Sequence, residues 1–139
     1  MKKVLVFGTF DIVHAGHIHM LTEAKNLGDY LVVVVSRDDI TAQVKGERPL
    51  FTEETRLEDI KKLNIADKVR LGNLGKNRYQ VIEEEDPQII ALGYDQVAFV
   101  DKLKENIKPH VQIVRLEAYK PETYKSSKIK DRLKKEGKL

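Results

Sequence analysis

Two histidines near the amino terminus have the side chains and the spacing for phosphate chemistry. His14 and His17 lie three positions apart, with Ala15 and Gly16 between them. Side chains at positions i and i+3 share one face of a helix, so both imidazoles can donate hydrogen bonds to one phosphate. A helix that begins here also presents free backbone N–H groups and the positive end of its dipole. The pattern indicates a site for the phosphates of a nucleotide.

A histidine near the start of a helix also has more ordinary roles. It can cap the helix or lie on the surface, and it is a common zinc ligand. The chain has no cysteine, and no third histidine or carboxylate follows at an obvious ligand spacing. We expect Asp11 to cap the first helix or to hold the loop, in preference to binding a metal. We expect His19 to face solvent on the helix.

The elements that must position these residues alternate between strand and helix. Val4–Phe7 is an apolar run of the kind that a parallel sheet buries on both faces, and Gly8 ends it. Further strands are predicted over Tyr30–Ser36, Asp67–Leu71, Gln88–Leu92 and Val111–Leu116, and helices over Ile18–Leu27, Arg37–Val44, Glu53–Leu63, Tyr79–Glu85, Val97–Ile107 and Lys128–Lys135. This alternation predicts an α/β fold: a single Rossmann-like, doubly wound parallel sheet of about five strands with helices on both faces.

The loops that follow the predicted strands mark the expected active site. In such sheets, ligands bind beyond the C-terminal ends of the strands, near the switch in strand order. The loops Thr9–His17, Gly93–Gln96 and Glu117–Ser127 each follow a strand, so we expect them to converge. Ser126 and Ser127 suit the cap of the last helix, a role that is compatible with binding phosphate.

Composition limits the function classes. The 139 residues predict a single domain over residues 1–139. The 25 Lys and Arg exceed the 22 Asp and Glu only slightly, and a net charge of +3 does not by itself indicate nucleic-acid binding. No apolar run approaches the length of a membrane span, and only Met1–Lys3 precede the first strand. We expect no signal peptide, no membrane partner and a cytoplasmic location.

The motif also resembles a known family. The residues Gly8–Asp11, followed by His14-x-Gly16-His17, are similar to the signature of the His-x-Gly-His nucleotidyltransferases, the cytidylyltransferase-like proteins. Ala15 stands where many members have proline, at a position that shapes the backbone and does not react. Further similarities are Lys45-Gly-Glu-Arg-Pro with Arg56 of the following helix, and the turn Tyr124-Lys-Ser-Ser-Lys-Ile, so the resemblance covers nearly the whole chain.

Two branches of this family fit best, the glycerol-3-phosphate cytidylyltransferases and the archaeal FAD synthases. The segments Leu92–Gln96 and Ala118–Lys120 look closer to the FAD synthases. That resemblance implies transfer of AMP from ATP to FMN with release of pyrophosphate, Mg²⁺ carried by ATP, and a homodimer. The alternatives are a CTP-dependent glycerol-3-phosphate cytidylyltransferase and a nucleotide-binding module without catalysis.

The resemblance also implies roles for individual residues. His14, His17 and Lys45 would be catalytic: the histidines hold the α- and β-phosphates, and Lys45, on a flexible loop, neutralises the triphosphate or the acceptor phosphate. The residues implied in nucleotide binding are Thr9, Phe10, His14, Ala15, Gly16, His17, Asp95, Tyr119, Ser126 and Ser127. No carboxylate cluster suggests a protein cage for a metal, so no protein metal ligand is predicted.

Some of these residues have ordinary alternatives. Lys45 could be an exposed lysine, Arg56 could pair with Glu53 or another nearby carboxylate, and Asp95 could be a turn residue. A flavin acceptor needs an apolar and partly aromatic site. The aromatic residues near the expected active-site loops are Tyr94, Phe99, Tyr119 and Tyr124, although Phe99 suits the core better.

Overall fold

The structure, a computed structural model, describes residues 2–73, 79–93 and 103–116. Its strands are β1 (Lys3–Gly8), β2 (Tyr30–Val35), β3 (Lys68–Leu71), β4 (Ile89–Leu92) and β5 (Gln112–Arg115). Its helices are α1 (Ala15–Asn26), α2 (Asp38–Lys45), α3 (Glu53–Lys62) and α4 (Gln80–Glu85), and a 3₁₀ turn covers Lys104–Asn106. Each predicted strand is present at its predicted place.

The five strands form one parallel sheet in the order β3-β2-β1-β4-β5. The chain starts at the centre with β1, moves outward to β2 and β3, and then returns to add β4 and β5 on the other side. The strand order therefore reverses between β1 and β4, the place where sheets of this type bind ligands. The predicted α/β fold with a parallel sheet is confirmed.

Apolar layers cover both faces of the sheet. On one face, alternate residues of the strands pack with Leu21 of α1 and Ile60 of α3. On the other face they pack with Ile82 of α4 and with Leu103. The helices thus lie on both faces, as a doubly wound sheet requires. Within the described ranges, none of the helices is long and apolar enough to cross a membrane.

Two predicted helices differ from the structure by more than one residue at an end. Helix α1 begins at Ala15, earlier than the predicted Ile18, because His14 caps it. The predicted helix Val97–Ile107 is wrong at its end, where a 3₁₀ turn is followed by Ile107 in an extended conformation. Pro109 lies two positions further on, and proline disfavours a helical conformation for the residue before it. Residues 94–102, and the predicted helix after Ser127, lie outside the described residues.

The buried carboxylate of Glu85 stabilises the packing of α4 against the sheet. The side chain of Glu85, the last residue of α4, is 4% exposed and accepts hydrogen bonds from Lys68 Nζ at 2.8 Å and Arg70 Nη1 at 2.9 Å. Lys3 Nζ, from β1, lies 3.6 Å from the same carboxylate. Burial raises the pKa of Glu85, but the hydrogen bonds from Lys68 and Arg70 outweigh it, so the pKa lies below 4.5. The ionised carboxylate therefore stabilises the contact between α4 and both β1 and β3.

Replacing this carboxylate by an amide tests its contribution. We expect Glu85→Gln to lower the free energy of unfolding at neutral pH by about 1–3 kcal/mol, because a neutral amide is a weaker partner for three cations. Since the pKa in the folded state lies below 4.5, the advantage of the parent is present above pH 4.5 and is lost as the pH falls through the folded pKa. Urea unfolding across this pH range measures both effects. The control is Glu83→Gln on the exposed side of α4; an equal loss there would contradict the prediction.

Candidate active site

The loop after β1 is shaped by a close contact between an aromatic ring and a glycine. Phe10 has φ 53°, a conformation that residues other than glycine adopt rarely, and its side chain is only 3% exposed. Its ring lies so close to Gly8 that a Cβ atom there would be 2.6 Å from two ring carbons. Glycine at position 8 is therefore required for the ring of Phe10 to fold back into the core.

The ring of Phe10 supports both histidines. Phe10 meets His17 edge to face, with ring centroids 5.3 Å apart and the planes at 70°. His17 in turn stacks on His14, with centroids 3.9 Å apart and planes at 23°. The structure thus brings together the two histidines that the sequence singled out, and packs them against a buried ring.

The two imidazoles also cap α1. His14 is the N-cap residue, and its Nδ1 atom accepts a hydrogen bond of 3.1 Å from the N–H of Gly16. The Nδ1 atom of His17 accepts one of 3.4 Å from the N–H of His14, which completes a reciprocal capping box. The capping role considered as an alternative is thus present, and it uses the Nδ1 atom of each ring.

These hydrogen bonds define which ring nitrogens carry protons. A neutral imidazole has one N–H, so a ring that accepts at Nδ1 carries its proton on Nε2. Burial lowers the pKa of His14 from 6.5, which favours the neutral ring at neutral pH. A second proton on Nδ1 would point at the N–H of Gly16. Both rings are therefore arranged to present Nε2–H donors, the form that a phosphate oxygen requires.

A buried arginine joins three segments of the site. The side chain of Arg56, in α3, has no exposed surface. Its Nη1 donates to the carbonyl of Thr9 at 2.8 Å, its Nε to the carbonyl of Phe51 at 3.1 Å, and its Nη2 to the carboxylate of Asp38 at 2.7 Å. Arg56 thus connects the loop after β1, the segment before α3 and the first turn of α2.

Asp11 makes the reciprocal connection. Its side chain is 2% exposed; Oδ2 accepts from the N–H of Leu50 at 2.7 Å, and Oδ1 accepts from the N–H of Phe51 at 2.8 Å. Of the two structural roles expected for Asp11, holding the loop is therefore confirmed, and the cap of α1 is His14 instead. We call Arg56 and Asp11, with these partners, the clamp.

Sequence reasoning left the role of Arg56 undecided. Its carboxylate partner is Asp38, and Glu53 pairs instead with Arg37, at 2.7 Å. The signal for burial was present, because Arg56, Ile60 and Leu63 follow the i, i+4, i+7 spacing of a core-facing stripe. The carbonyl acceptors of Arg56 are Thr9, which is far away in the sequence, and Phe51, which precedes the helix. No local sequence pattern predicts these two hydrogen bonds.

Two other predicted site residues, Thr9 and Lys45, lie within the described part of the chain. Thr9 lies just beyond β1, and its hydroxyl accepts a hydrogen bond of 3.4 Å from Ser36, which follows β2. Lys45 is the last residue of α2 and not part of a flexible loop, so that prediction was wrong. The helix continues to Lys45 because Gly46, with φ 80°, supplies the left-handed conformation that commonly ends a helix.

The remaining predicted residues cannot be placed in the same way. Asp95, Tyr119, Ser126 and Ser127 lie outside the described residues, so their meeting with the histidines stays a prediction. In the described part of the chain, no group of three or more histidine or acidic side chains is arranged to hold a metal ion.

Comparison with known proteins decides the family. A family model described as cytidylyltransferase-like matches residues 5–132. The chain belongs to the cytidylyltransferase-like family. The two motifs that suggested this family, Gly8–Asp11 and His-x-Gly-His, form the loop and the helix start described above.

Members of the family with curated names resemble the chain over most of its length. The FAD synthase of Thermoplasma volcanium is 43% identical over 136 residues, which are 96% of this chain and 94% of the relative. The FAD synthase of Thermococcus kodakarensis is 38% identical over 135 residues, 94% of this chain and 91% of the relative. A crystal structure described as the lipopolysaccharide core biosynthesis protein from Thermoplasma volcanium is 44% identical, with a TM-score of 0.75, and the match covers 86% of this chain and 98% of that one.

The clamp can be tested by changing the shape of its cation. Lysine keeps the charge of Arg56, but a single ammonium cannot donate to the carbonyls of Thr9 and Phe51 and to Asp38 together. We expect Arg56→Lys to lower the free energy of unfolding by about 2–3 kcal/mol, because buried acceptors lose their donors. The control is Arg48→Lys: Arg48 pairs with Asp39 at 67% and 79% side-chain exposure, and we expect a loss below about 0.5 kcal/mol. Urea unfolding measures both, and equal losses would contradict the role of the clamp.

Proposed function

We propose that this protein transfers AMP from ATP to FMN and releases pyrophosphate, the reaction of an FMN adenylyltransferase. The observation that supports nucleotidyl transfer most directly is the pair of stacked histidines at the start of α1, whose Nδ1 atoms accept backbone hydrogen bonds. The choice of ATP and FMN is supported by relatives named FAD synthase that match most of the chain.

The reaction is an in-line displacement at phosphorus. A phosphate oxygen of FMN attacks the α-phosphorus of ATP, and a new O–P bond forms as the bond from the α-phosphorus to the β-phosphate oxygen breaks. Pyrophosphate leaves with the bonding electrons. The FMN phosphate is already ionised at neutral pH, so no general base is needed. Catalysis then consists of positioning and stabilisation of charge.

The histidines contribute to both the positioning of the phosphates and the stabilisation of charge. Their Nε2–H groups donate to the α- and β-phosphates, where negative charge grows as pyrophosphate leaves, and the dipole of α1 acts in the same direction. Because the backbone and the ring of Phe10 hold the imidazoles, the donors do not have to reorganise during the reaction. The ring of Phe10 is buried, so a contact between Phe10 and ATP involves its backbone.

The other site residues are assigned by the resemblance. Lys45, at the end of α2, neutralises phosphate charge; Thr9, Ala15, Gly16, Asp95 and Tyr119 contact ATP, and Ser126 and Ser127 hold the β- and γ-phosphates. A divalent cation, Mg²⁺ by expectation, comes with the triphosphate and neutralises part of its charge. A homodimer and a cytoplasmic location remain predictions.

A comparison of substrates tests the proposal. ATP and CTP are each offered with FMN and with glycerol 3-phosphate, while pyrophosphate release is followed and the products are separated by chromatography. We expect ATP with FMN to yield FAD and pyrophosphate in equal amounts. Pyrophosphate release that depends on CTP and glycerol 3-phosphate, without FAD, would show a cytidylyltransferase instead. No release with any pair would leave a nucleotide-binding module.

Two substitutions at His14 separate capping from catalysis. Asparagine can still cap α1, whereas His14→Ala removes the cap and lowers the free energy of unfolding by about 1 kcal/mol. Both variants lose the Nε2–H donor, so we expect the activation free energy to rise by about 2.7–4 kcal/mol, the scale for one lost charge-stabilising donor. Turnover should fall accordingly. The KM for ATP should change much less.

The control for these variants is His19→Ala, on the same helix, where His19 lies near Glu23 at 3.7 Å. We expect this variant to keep the turnover of the parent. Parent-like turnover in His14→Asn would mean that His14 acts only as a cap.

A further inference from the structure

Large apolar residues are exposed at three positions in the described part of the chain. Ile18 is 42% exposed, Leu50 42% and Phe51 41%. Leu50 and Phe51 are adjacent and lie directly before the N-cap of α3. Adjacent exposed apolar side chains are unfavourable in water and commonly mark a binding surface. We call the two residues Leu50 and Phe51 the platform.

The platform lies beside the phosphate-binding loop. The backbone N–H groups of Leu50 and Phe51 both donate to Asp11, which precedes His14 by three positions. The carbonyl of Phe51 accepts from Arg56, whose guanidinium also holds the carbonyl of Thr9. The clamp therefore fixes the main chain of the platform directly against the loop between β1 and α1.

The platform is ordered without being part of the core. Its backbone is held by two buried side chains, Asp11 and Arg56, while its own side chains face outward. A ligand that binds there does not have to order a mobile loop, and this makes binding more favourable. The clamp thus holds an apolar surface ready for a ligand near the reacting phosphates.

We propose that the platform binds the planar isoalloxazine ring of the acceptor, with Phe51 stacked on the ring and Leu50 beside it. This inference rests on the proposed function, since it requires FMN as the acceptor. The phosphate of FMN must reach the histidines, and its large flat ring must then rest on an adjacent apolar surface, which aromatic and aliphatic side chains provide. Glycerol 3-phosphate has no ring that could use this surface.

The adenine ring of ATP is the competing planar ligand, and the topology favours the flavin. The nucleotide contacts that the resemblance implies are Asp95 and Tyr119, which come after β4 and β5 in the sequence, and these two strands lie on one side of β1 in the sheet. The platform precedes α3, which connects β2 to β3 on the other side of β1. The two flat rings would thus approach the reacting phosphates from opposite sides.

Substitution of Phe51 tests the platform. We expect Phe51→Ala to raise the KM for FMN about tenfold or more, the scale of a lost stacking contact with a planar ring. Phe51→Tyr keeps the ring and should stay within about threefold of the parent. The KM for ATP and the affinity for ATP alone should be unchanged. Titration of FMN, followed by quenching of its fluorescence, measures the same difference without turnover.

The matched control is Ile18→Ala, which removes equally exposed apolar surface from α1. A rise in the KM for FMN equal to that of Phe51→Ala would overturn the proposal. So would a selective rise in the KM for ATP, which would assign the platform to adenine. Dissociation of an oligomer by Phe51→Ala, measured by sedimentation, would assign it to self-association.

Failure of this inference is distinguishable from failure of the proposed function. If the parent forms no FAD from ATP and FMN, the function itself is wrong, and the inference falls with it. If the parent forms FAD and Phe51→Ala retains the KM for FMN, the function stands and the platform is not the flavin site.

Discussion

The buried guanidinium of Arg56 is the interaction on which the functional end of the sheet depends. Thr9 and Phe51 lie in segments outside the strands, where the ladder of the sheet does not hold their carbonyls. Arginine is suited to this place, because its planar fork has five N–H groups and can bind several oxygens at fixed angles. The carboxylate of Asp38, hydrogen-bonded to Nη2, offsets the cost of burying the charge. One side chain thereby fixes the geometry of three segments.

The fixed loop in turn determines where the histidines lie, first through packing and then through hydrogen bonds. Gly8 allows Phe10 to fold inward, Phe10 supports His17, and His17 stacks on His14. These packing contacts are steric, so they define where the two imidazole rings lie. The capping bonds at Nδ1 then define which nitrogen carries the proton. Donors held in this way can stabilise developing charge without the cost of reorienting themselves.

The sequence predicted those features that depend on neighbouring residues. Apolar runs such as Val4–Phe7 locate the strands, and the spacing of His14 and His17 indicates that the two side chains lie together, although the predicted start of α1 at Ile18 was three residues late. The partners of Asp11 and Arg56 could not be predicted, because hydrogen bonds such as those from the N–H groups of Leu50 and Phe51 to Asp11 span 39 and 40 positions. Local periodicity reports which face of an element is buried and contains no information about which distant main-chain groups meet a buried polar side chain.

The clamp holds the segment Leu50–Phe51 through hydrogen bonds to its backbone. The hydrogen bonds that join Asp11 and Arg56 to this segment go to backbone atoms of Leu50 and Phe51, so these bonds do not depend on the side chains at the two positions. The imidazoles at the start of α1 are likewise held by backbone bonds and by the ring of Phe10. Side chains at positions 50 and 51 can therefore change without moving the histidines. A different acceptor-binding surface at these two positions would therefore leave the backbone bonds to Asp11 and Arg56 unchanged.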